Sequence, residues 1–318
     1  MNNIHPVVTT DATAQASATA QRNIQTRLVI LAWGITLLAS MLPGIIVQEA
    51  HISLPLPVLW LQIGLLAALF AVSFIWKTIQ PLRNYFLIFI ALYALDALFA
   101  WIGSTALWQA TFDLGAGAVV NDLFKSQLLR LAVALIMILV LTLIFRRRSD
   151  FFLRLGELDA EAAPVRWLGM DRPVGWRRFG IILSLCITLG TLVFLILAGR
   201  PSGEMLTSIL PLLPIILLIA AMNAFSEEIS YRAALLAPLQ NVVGKSQALL
   251  LTATLFGLWH FYGVPYGVLG VLMAGGLGWL LGKSMLETKG IFWAWMIHFW
   301  QDVAIFAFIC ANSIKPGG

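Results

Sequence analysis

The feature that most constrains this chain is a series of apolar runs, each about as long as a lipid bilayer is thick. A helix that crosses the hydrocarbon core needs about 20 mostly apolar residues. With 60% hydrophobic and only 11% charged residues, the chain lacks the polar surface of a soluble protein. We therefore predict an all-α, polytopic transmembrane helix bundle of eight or nine spans. The predicted spans cover residues 28–47, 57–76, 85–102, 127–145, 179–198, 208–232, 246–262, 265–282 and 290–311.

The distribution of polar residues divides the chain into four parts. Residues 1–27, rich in Thr, Ala, Gln and Asn, are predicted to form a disordered cytoplasmic tail. Residues 28–145 form an N-terminal four-helix membrane region, and residues 146–178 form a basic cytoplasmic loop. Residues 179–318 make up a second membrane domain, which holds nearly all the polar groups placed at membrane depth. We therefore expect the chemistry to belong to the second domain.

The Lys and Arg residues predict the side of the membrane on which each loop lies. Cytoplasmic loops carry an excess of these residues. Here the tail and every second loop carry them, including Lys245, Lys283 and Lys289, whereas the other loops hold only Lys125 and Arg200. We predict an integral membrane protein with a cytoplasmic N-terminus, expected in a bacterial plasma membrane. Because the basic clusters flank spans, no nucleic-acid partner is expected.

Three short motifs place ionisable groups inside predicted spans of the second domain. The motifs are EEISYR at 227–232, FGLWH at 256–260 and HFWQD at 298–302. Ionisable residues at membrane depth are costly, and they are usually functional. Residues four apart share one helix face, which brings Glu228 to Arg232 and His298 to Asp302. The spacing thus predicts two polar pairs on two separate helices.

The adjacent carboxylates Glu227 and Glu228 cannot face the same cavity equally, because they are rotated by about 100° around the helix axis. We expect Glu228 to pair with Arg232 and Glu227 to remain free to act. His298 lies roughly 12 Å, and His260 roughly 20 Å, from the cytoplasmic start of its helix. Glu227 reaches a depth comparable to that of His298 if its helix continues for about one more turn. The three side chains can therefore converge on one pocket that opens toward the cytoplasm, provided that the seventh span tilts or begins outside the membrane.

Two further features have structural interpretations. The eighth predicted span contains Gly275, Gly276 and Gly278, small residues that let membrane helices approach closely. Asp96 is the one acidic residue well inside a span of the first half, and we interpret it as a buried structural polar group.

Taken together, the three motifs resemble the signature of the CPBP intramembrane protease family, which is EExxxR, then FxxxH, then HxxxD or HxxxN on separate hydrophobic helices. This family includes the CAAX prenyl endopeptidases and the bacterial Abi proteins. The resemblance covers roughly residues 205–312, about a third of the chain. It implies an intramembrane endopeptidase that hydrolyses a peptide bond.

The resemblance implies a role for the residues of the first two motifs. Glu227 is expected to be the general base that activates water, and His260 to hold that water or to share its proton. Glu228 and Arg232 are expected to support the site as a pair.

By the same resemblance, His298 and Asp302 are expected to stabilise the oxyanion. An ionised carboxylate cannot donate a hydrogen bond, so Asp302 is either protonated or orients His298. The family is often labelled metalloprotease, and Glu227, His260 and His298 could bind zinc through one oxygen and two nitrogens. Because the chain has no HExxH motif, we favour a mechanism without a cofactor and keep zinc as the alternative.

Two other classes of function fit part of the pattern. A carboxylate–histidine set in a helix bundle is also typical of a proton-coupled membrane transporter, although the sequence offers no internal repeat or paired broken helices. A non-catalytic CPBP-like immunity or scaffold protein is the third possibility, although every motif position is filled. Besides the lipid bilayer, the expected partner is a peptide or membrane-protein substrate. A lipidated C-terminal tail is the family's best-known target.

Overall fold

The computed structural model describes the backbone of residues 8–313 and the side chains of residues 23–205 and 207–313. The helices are α1 (Val8–Ala39), α2 (Leu42–Glu49), α3 (Val58–Val72), α4 (Arg83–Ser104), α5 (Ala106–Gln109), α6 (Ala118–Ile144), α7 (Trp176–Gly199), α8 (Gly203–Ser208), α9 (Leu213–Glu227), α10 (Ala234–Gln240), α11 (Lys245–Trp259), α12 (Val268–Thr288) and α13 (Phe292–Ser313). Short 3₁₀ turns lie at Gln80–Leu82, Arg148–Phe151, Arg166–Leu168 and Leu210–Leu212. Two antiparallel strands, β1 (Glu161–Ala162) and β2 (Val174–Gly175), pair with Glu161 opposite Gly175.

Within the described residues, six helical stretches are long and apolar enough to cross a membrane. They are Gln80–Ser104, Ala118–Ile144, Trp176–Gly199, Gly203–Gln240, Val268–Thr288 and Phe292–Ser313. A seventh is obtained if Asn23–Ala39 and Leu42–Glu49, which are bent by 46°, form one span. The predicted helical membrane bundle is therefore confirmed, but its count of nine spans is not. Predicted spans 57–76 and 246–262 correspond to α3 and α11, helices of 15 residues that are short for a bilayer core.

The first helix extends into the segment that was predicted to be a disordered tail. It begins at Val8, whereas residues 1–7 lie outside the described residues. The segment that follows Val8 is rich in alanine, the residue with the highest intrinsic helix propensity. Local propensity therefore extends the helix beyond the apolar run that marks the first predicted span.

The helical stretch that carries the EEISYR motif continues well past it. A π-helical turn, Glu228–Ala233, joins α9 directly to α10, which ends at Gln240. The expected continuation of this helix beyond the motif is therefore present. Single π turns inside α-helices occur frequently at functional sites, and this one contains two of the motif's charged residues.

Both membrane halves contribute to one hydrophobic core. In the first half α3 packs against α4, and α4 against α6. The halves meet where α6 packs against α9, and α13 packs in turn against α7, α9 and α12. One continuous cluster of buried apolar side chains runs from α1 and α4 through the π turn and α10 to α13. The helices that carry the motifs are therefore held in place by both halves.

The basic segment 146–178 is folded onto the turn between α12 and α13. The backbone N–H of Glu157 donates to the carbonyl oxygen of Thr288 at 2.7 Å, and the N–H of Ile291 donates to the carbonyl oxygen of Arg154 at 2.9 Å. Its buried apolar side chains include Phe151, Phe152, Ala162 and Val165. The segment is therefore an ordered part of the bundle that supports the start of α13.

Lys245, the first residue of α11, and Lys289, the residue after α12, lie close together. Burial and the neighbouring charge of Lys245 lower the pKa of Lys289. Leu249 near the start of α11 packs against Gly282 near the end of α12, so the loop before α11 and the loop after α12 lie on the same side of the bundle, as the pattern of basic residues predicts.

Glycines allow α11 and α12 to approach each other closely. A Cβ atom added to Gly257 would lie 2.5 Å from the carbonyl oxygen of Val271 and 3.2 Å from the Cα atom of Gly275. No side chain fits at such separations, so the close packing expected for the glycine-rich span is present at Gly275 and extends to Gly257 on the facing helix. It is not present at Gly276, where an added Cβ would have no atom within 4 Å.

We expect the variant Gly257→Ala to be less stable than the wild type by about 1–3 kcal/mol, because the added methyl group overpacks the helix contact. The matched control is Gly276→Ala, since a Cβ at Gly276 would have no atom within 4 Å. Thermal unfolding of the detergent-solubilised protein measures both changes. Equal melting temperatures for the two variants would contradict this description of the α11–α12 contact.

Candidate active site

Glu228 is the centre of a buried ionic cluster. Its Oε1 accepts hydrogen bonds from Nη1 of Arg232 and, at 2.8 Å, from Nδ1 of His298. All three side chains are buried. The Glu228–Arg232 pair that the spacing predicts is therefore formed, and it joins the EEISYR motif to α13 through His298. A buried charge is tolerated only when it is paired and hydrogen-bonded, so these contacts constrain one another.

The ring of Phe256 packs against this cluster. The guanidinium carbon of Arg232 lies 4.4 Å from the centroid of the ring, within the range of a cation–π interaction. The same ring lies 4.5 Å from the imidazole of His260 and 6.2 Å from that of His298, centroid to centroid. Phe256 thus links the FGLWH motif to the other two motifs by ring contacts.

Glu227 has a different set of neighbours. Its Oε1 accepts a hydrogen bond from Nη1 of Arg130 at 2.8 Å, and its Oε2 lies 3.7 Å from Nε2 of His298. The separation between Oε2 and Nε2 of His298 is longer than a hydrogen bond. Oε2 also accepts no hydrogen bond from any other residue that the structure describes. The expectation that Glu227 remains free therefore holds for only one of its oxygens. Arg130 holds Oε1, and Oε2 remains available.

Asp302, like Glu227, lies beside Nε2 of His298. Its Oδ1 is 3.6 Å from Nε2 of His298, and its Oδ2 accepts a hydrogen bond from Nδ2 of Asn223 at 2.9 Å. The hydrogen bond that orients His298 comes from Glu228 rather than from Asp302. Asp302 thus adjoins the second ring nitrogen of His298 without a hydrogen bond to it.

His260 lies at the end of α11, just after Trp259. Its Nδ1 is 2.8 Å from the carbonyl oxygen of Phe256. A carbonyl oxygen only accepts, so Nδ1 carries the hydrogen and Nε2 keeps its lone pair in the neutral ring. Among the described residues, no hydrogen bond or ion pair joins His260 to Glu227 or His298. The structure thus brings Glu227 and His298 together directly and connects His260 to His298 only by way of the Phe256 ring.

The side chains predicted to bind zinc do not form a metal-binding group. Within the part of the chain that the structure describes, no three His, Cys, Asp or Glu side chains are arranged to hold a metal ion. Among the described residues, His260 is joined to His298 only through the Phe256 ring, so Glu227, His260 and His298 are not grouped around one zinc ion.

Two residues of the site were missed by the sequence analysis. Arg130 was passed over because the predicted span began at residue 127, which placed it near a helix end. With α6 beginning at Ala118, Arg130 lies about 18 Å along the helix. Asn223 was missed because apolar residues surround it in the sequence. The signal that identifies it is its position four residues before Glu227, which puts both residues on one helix face. A charged group deep in an apolar helix is the signal that identifies Arg130.

The helical bundle and this cluster define an integral membrane protein with a buried carboxylate–imidazole site. A family model described as type II CAAX prenyl endopeptidase Rce1-like matches residues 209–304. This segment is Rce1-like, and it contains every motif residue, so the predicted resemblance to the CPBP family is confirmed. The match leaves α1 to α8 outside it. No curated protein and no solved structure matches the chain.

Replacing Arg232 with methionine should destabilise the protein by about 3–5 kcal/mol, because Glu228 would remain buried without its partner. The same substitution at Arg177 is the matched control. Arg177 forms an ion pair with Asp159 at 2.6 Å in which both side chains are more than 60% exposed, and such pairs contribute about 0–1 kcal/mol. Chemical denaturation in detergent micelles measures both variants. Similar losses would mean that the buried cluster is not a main source of stability.

Proposed function

We propose that the protein is an intramembrane endopeptidase, similar to CAAX proteases, in which Glu227 activates water for hydrolysis of a peptide bond. One observation carries the proposal: the free oxygen of Glu227 faces Nε2 of His298 at 3.7 Å within a buried cluster. The Rce1-like match over the same helices supports a protease. A base and an oxyanion-stabilising group must both contact the reacting groups, and the adjacent positions of these two side chains support that pair of roles.

The proposed reaction begins with a proton transfer from water to Oε2 of Glu227. The water oxygen forms a bond to the carbonyl carbon of the peptide, and the carbonyl oxygen becomes an oxyanion. As the C–N bond breaks, Glu227 returns the proton to the leaving nitrogen. General base catalysis of this kind contributes about 100- to 10,000-fold in rate.

His298 is the proposed donor to the oxyanion. Its Nδ1 already donates to Glu228, so donation from Nε2 as well requires the ring to carry both hydrogens. Glu228, backed by Arg232, is the counter-ion for that imidazolium. Asp302, held by Asn223, lies 3.6 Å from the same nitrogen, and in the proposal it keeps the ring aligned by its charge.

His260 is proposed to hold the attacking water or to share its proton through Nε2, the nitrogen that is not bonded to Phe256. The ring is half-buried at the end of α11. His260→Ala should therefore lower the rate of cleavage while leaving the buried Glu228 cluster intact.

The proposed substrate is a peptide or a membrane protein, with a lipidated C-terminal tail as the first candidate. The matching family model names CAAX prenyl endopeptidases, and the site lies among membrane helices where an acyl or prenyl chain is soluble. We also propose that the protein resides in a bacterial plasma membrane with its N-terminus in the cytoplasm. The proposal includes no nucleic-acid partner.

The variant Glu227→Gln should lose at least about 100-fold in the rate of cleavage of a farnesylated peptide ending in a CAAX sequence, since an amide cannot accept the proton. The matched control is Glu204→Gln, because Glu204 lies in the short helix α8 near the surface. Melting temperatures establish that both variants are folded. Cleavage by Glu227→Gln at the wild-type rate would show that the base is wrongly assigned.

If neither the wild type nor the variant cleaves any peptide, the immunity or scaffold alternative is favoured. A pH change in reconstituted vesicles that depends on an added substrate would favour the transporter instead.

We propose that the mechanism uses no metal ion, because Glu227, His260 and His298 are not grouped around one position among the residues that the structure describes. Treatment with a chelator should therefore leave the rate of peptide cleavage unchanged, and the purified protein should contain far less than one zinc per chain. Activity that is lost to the chelator and regained with zinc would contradict this proposal.

A further inference from the structure

Arg130 reaches the site from α6, a helix outside the segment that matches the family model. Its Nη1 donates to Oε1 of Glu227 at 2.8 Å. We propose that Arg130 is a positioning residue for Glu227, so that the N-terminal membrane region completes the active site. This inference rests on the proposed function of Glu227 as the base.

The contact divides the two oxygens of Glu227 between two tasks. Arg130 holds Oε1, which leaves Oε2 directed toward Nε2 of His298 at 3.7 Å. A glutamate side chain without such a partner samples several rotamers. Misplacing a catalytic group by about 1 Å can reduce a rate by about 100-fold. Holding one oxygen therefore matters to the reaction of the other.

Arg130 is also connected to Asp302, through Asn223. The same Nη1 lies 3.4 Å from Oδ1 of Asn223, whose Nδ2 donates to Asp302 at 2.9 Å. The Arg130 guanidinium therefore holds Glu227 by a direct hydrogen bond and Asp302 indirectly, through Asn223. These two acids lie on different helices, α9 and α13, so Arg130 fixes their relative position.

The surroundings of Arg130 are polar. It borders a small polar cavity at the junction of the two halves, lined by Asp96, Arg130, Val133, Ser226, Glu227, Ser230 and Tyr231. The hydroxyl groups of Ser226 and Ser230 are buried and have no hydrogen-bond partner among the described residues. Asp96, interpreted from the sequence as a structural group, belongs to this cavity.

Arg130 lies in a helical stretch that is long and apolar enough to cross a membrane, where a charged group is costly. The Arg130 side chain is 49% exposed, whereas that of Glu227 is 11% exposed. A half-exposed ion pair contributes little stability, so stability alone is a weak reason for a charged group in this helix. Its direct contact with the proposed base is a stronger one.

The experiment compares Arg130→Gln, Arg130→Lys and Arg130→Ala with the wild type in cleavage of the farnesylated CAAX peptide. The first variant should lower kcat by about 10- to 100-fold, with KM changed less than twofold. Lysine should restore part of kcat, because an ammonium group still donates to Glu227. Added guanidinium ions should partly restore kcat in the alanine variant. Lys125→Gln, at a surface position of the same helix that donates to the Gln109 carbonyl oxygen, is the matched control and should behave as wild type.

An increase in KM at unchanged kcat would overturn the proposal, and so would a loss of activity that neither lysine nor guanidinium restores. If Glu227→Gln is inactive but Arg130→Gln is fully active, this inference fails while the proposed function stands. If Glu227→Gln is fully active, the proposed function itself fails.

Discussion

The structure depends on the burial of the Glu228 carboxylate beside one guanidinium and one imidazole. A carboxylate in a low-dielectric interior persists only with donors on its oxygens, and Glu228 takes them from Arg232 on its own helical turn and from His298 on α13. This contact sets the rotation of the π turn relative to α13. The positions of the neighbouring acids follow, because Glu227 adjoins Glu228 and Asp302 lies one turn beyond His298.

A second constraint comes from the first half of the chain. The family match begins at residue 209, yet the pair Arg130–Glu227 crosses from α6 to α9. The folded segment 146–178 adds a further support, because its hydrogen bonds hold the turn before α13. The N-terminal region and the segment 146–178 are thus parts of one packed body with the motif helices. This arrangement explains why a description limited to the three motifs omits part of the site.

Much of the site could be predicted from spacing within single helices. The pair Glu228–Arg232 and the neighbours Phe256 and His260 follow from residues four apart, and the membrane bundle follows from apolar length. Contacts between helices could not be predicted, because they depend on rotation and depth. The hydrogen bond from His298 to Glu228 is one example. The position of His260 at a helix end is another.

The span count could not be derived from hydropathy alone for a related reason. Apolar composition marks which residues avoid water, but it does not mark where a helix ends. The chain bends between α1 and α2, and α3 and α11 end after 15 residues. Segment 146–178 shows the converse. Its many arginines led to the prediction of a basic loop, but its buried apolar residues are sufficient for it to fold.

The most direct test of the account is an experimental structure of the Glu227→Gln variant in a lipid nanodisc with an uncleaved farnesylated peptide bound. The account predicts that the carbonyl oxygen of the scissile bond lies within about 3.2 Å of Nε2 of His298, with position 227 on the opposite side of the carbonyl group. A peptide bound away from α9 and α13, or a His298 that no longer contacts Glu228, would contradict it.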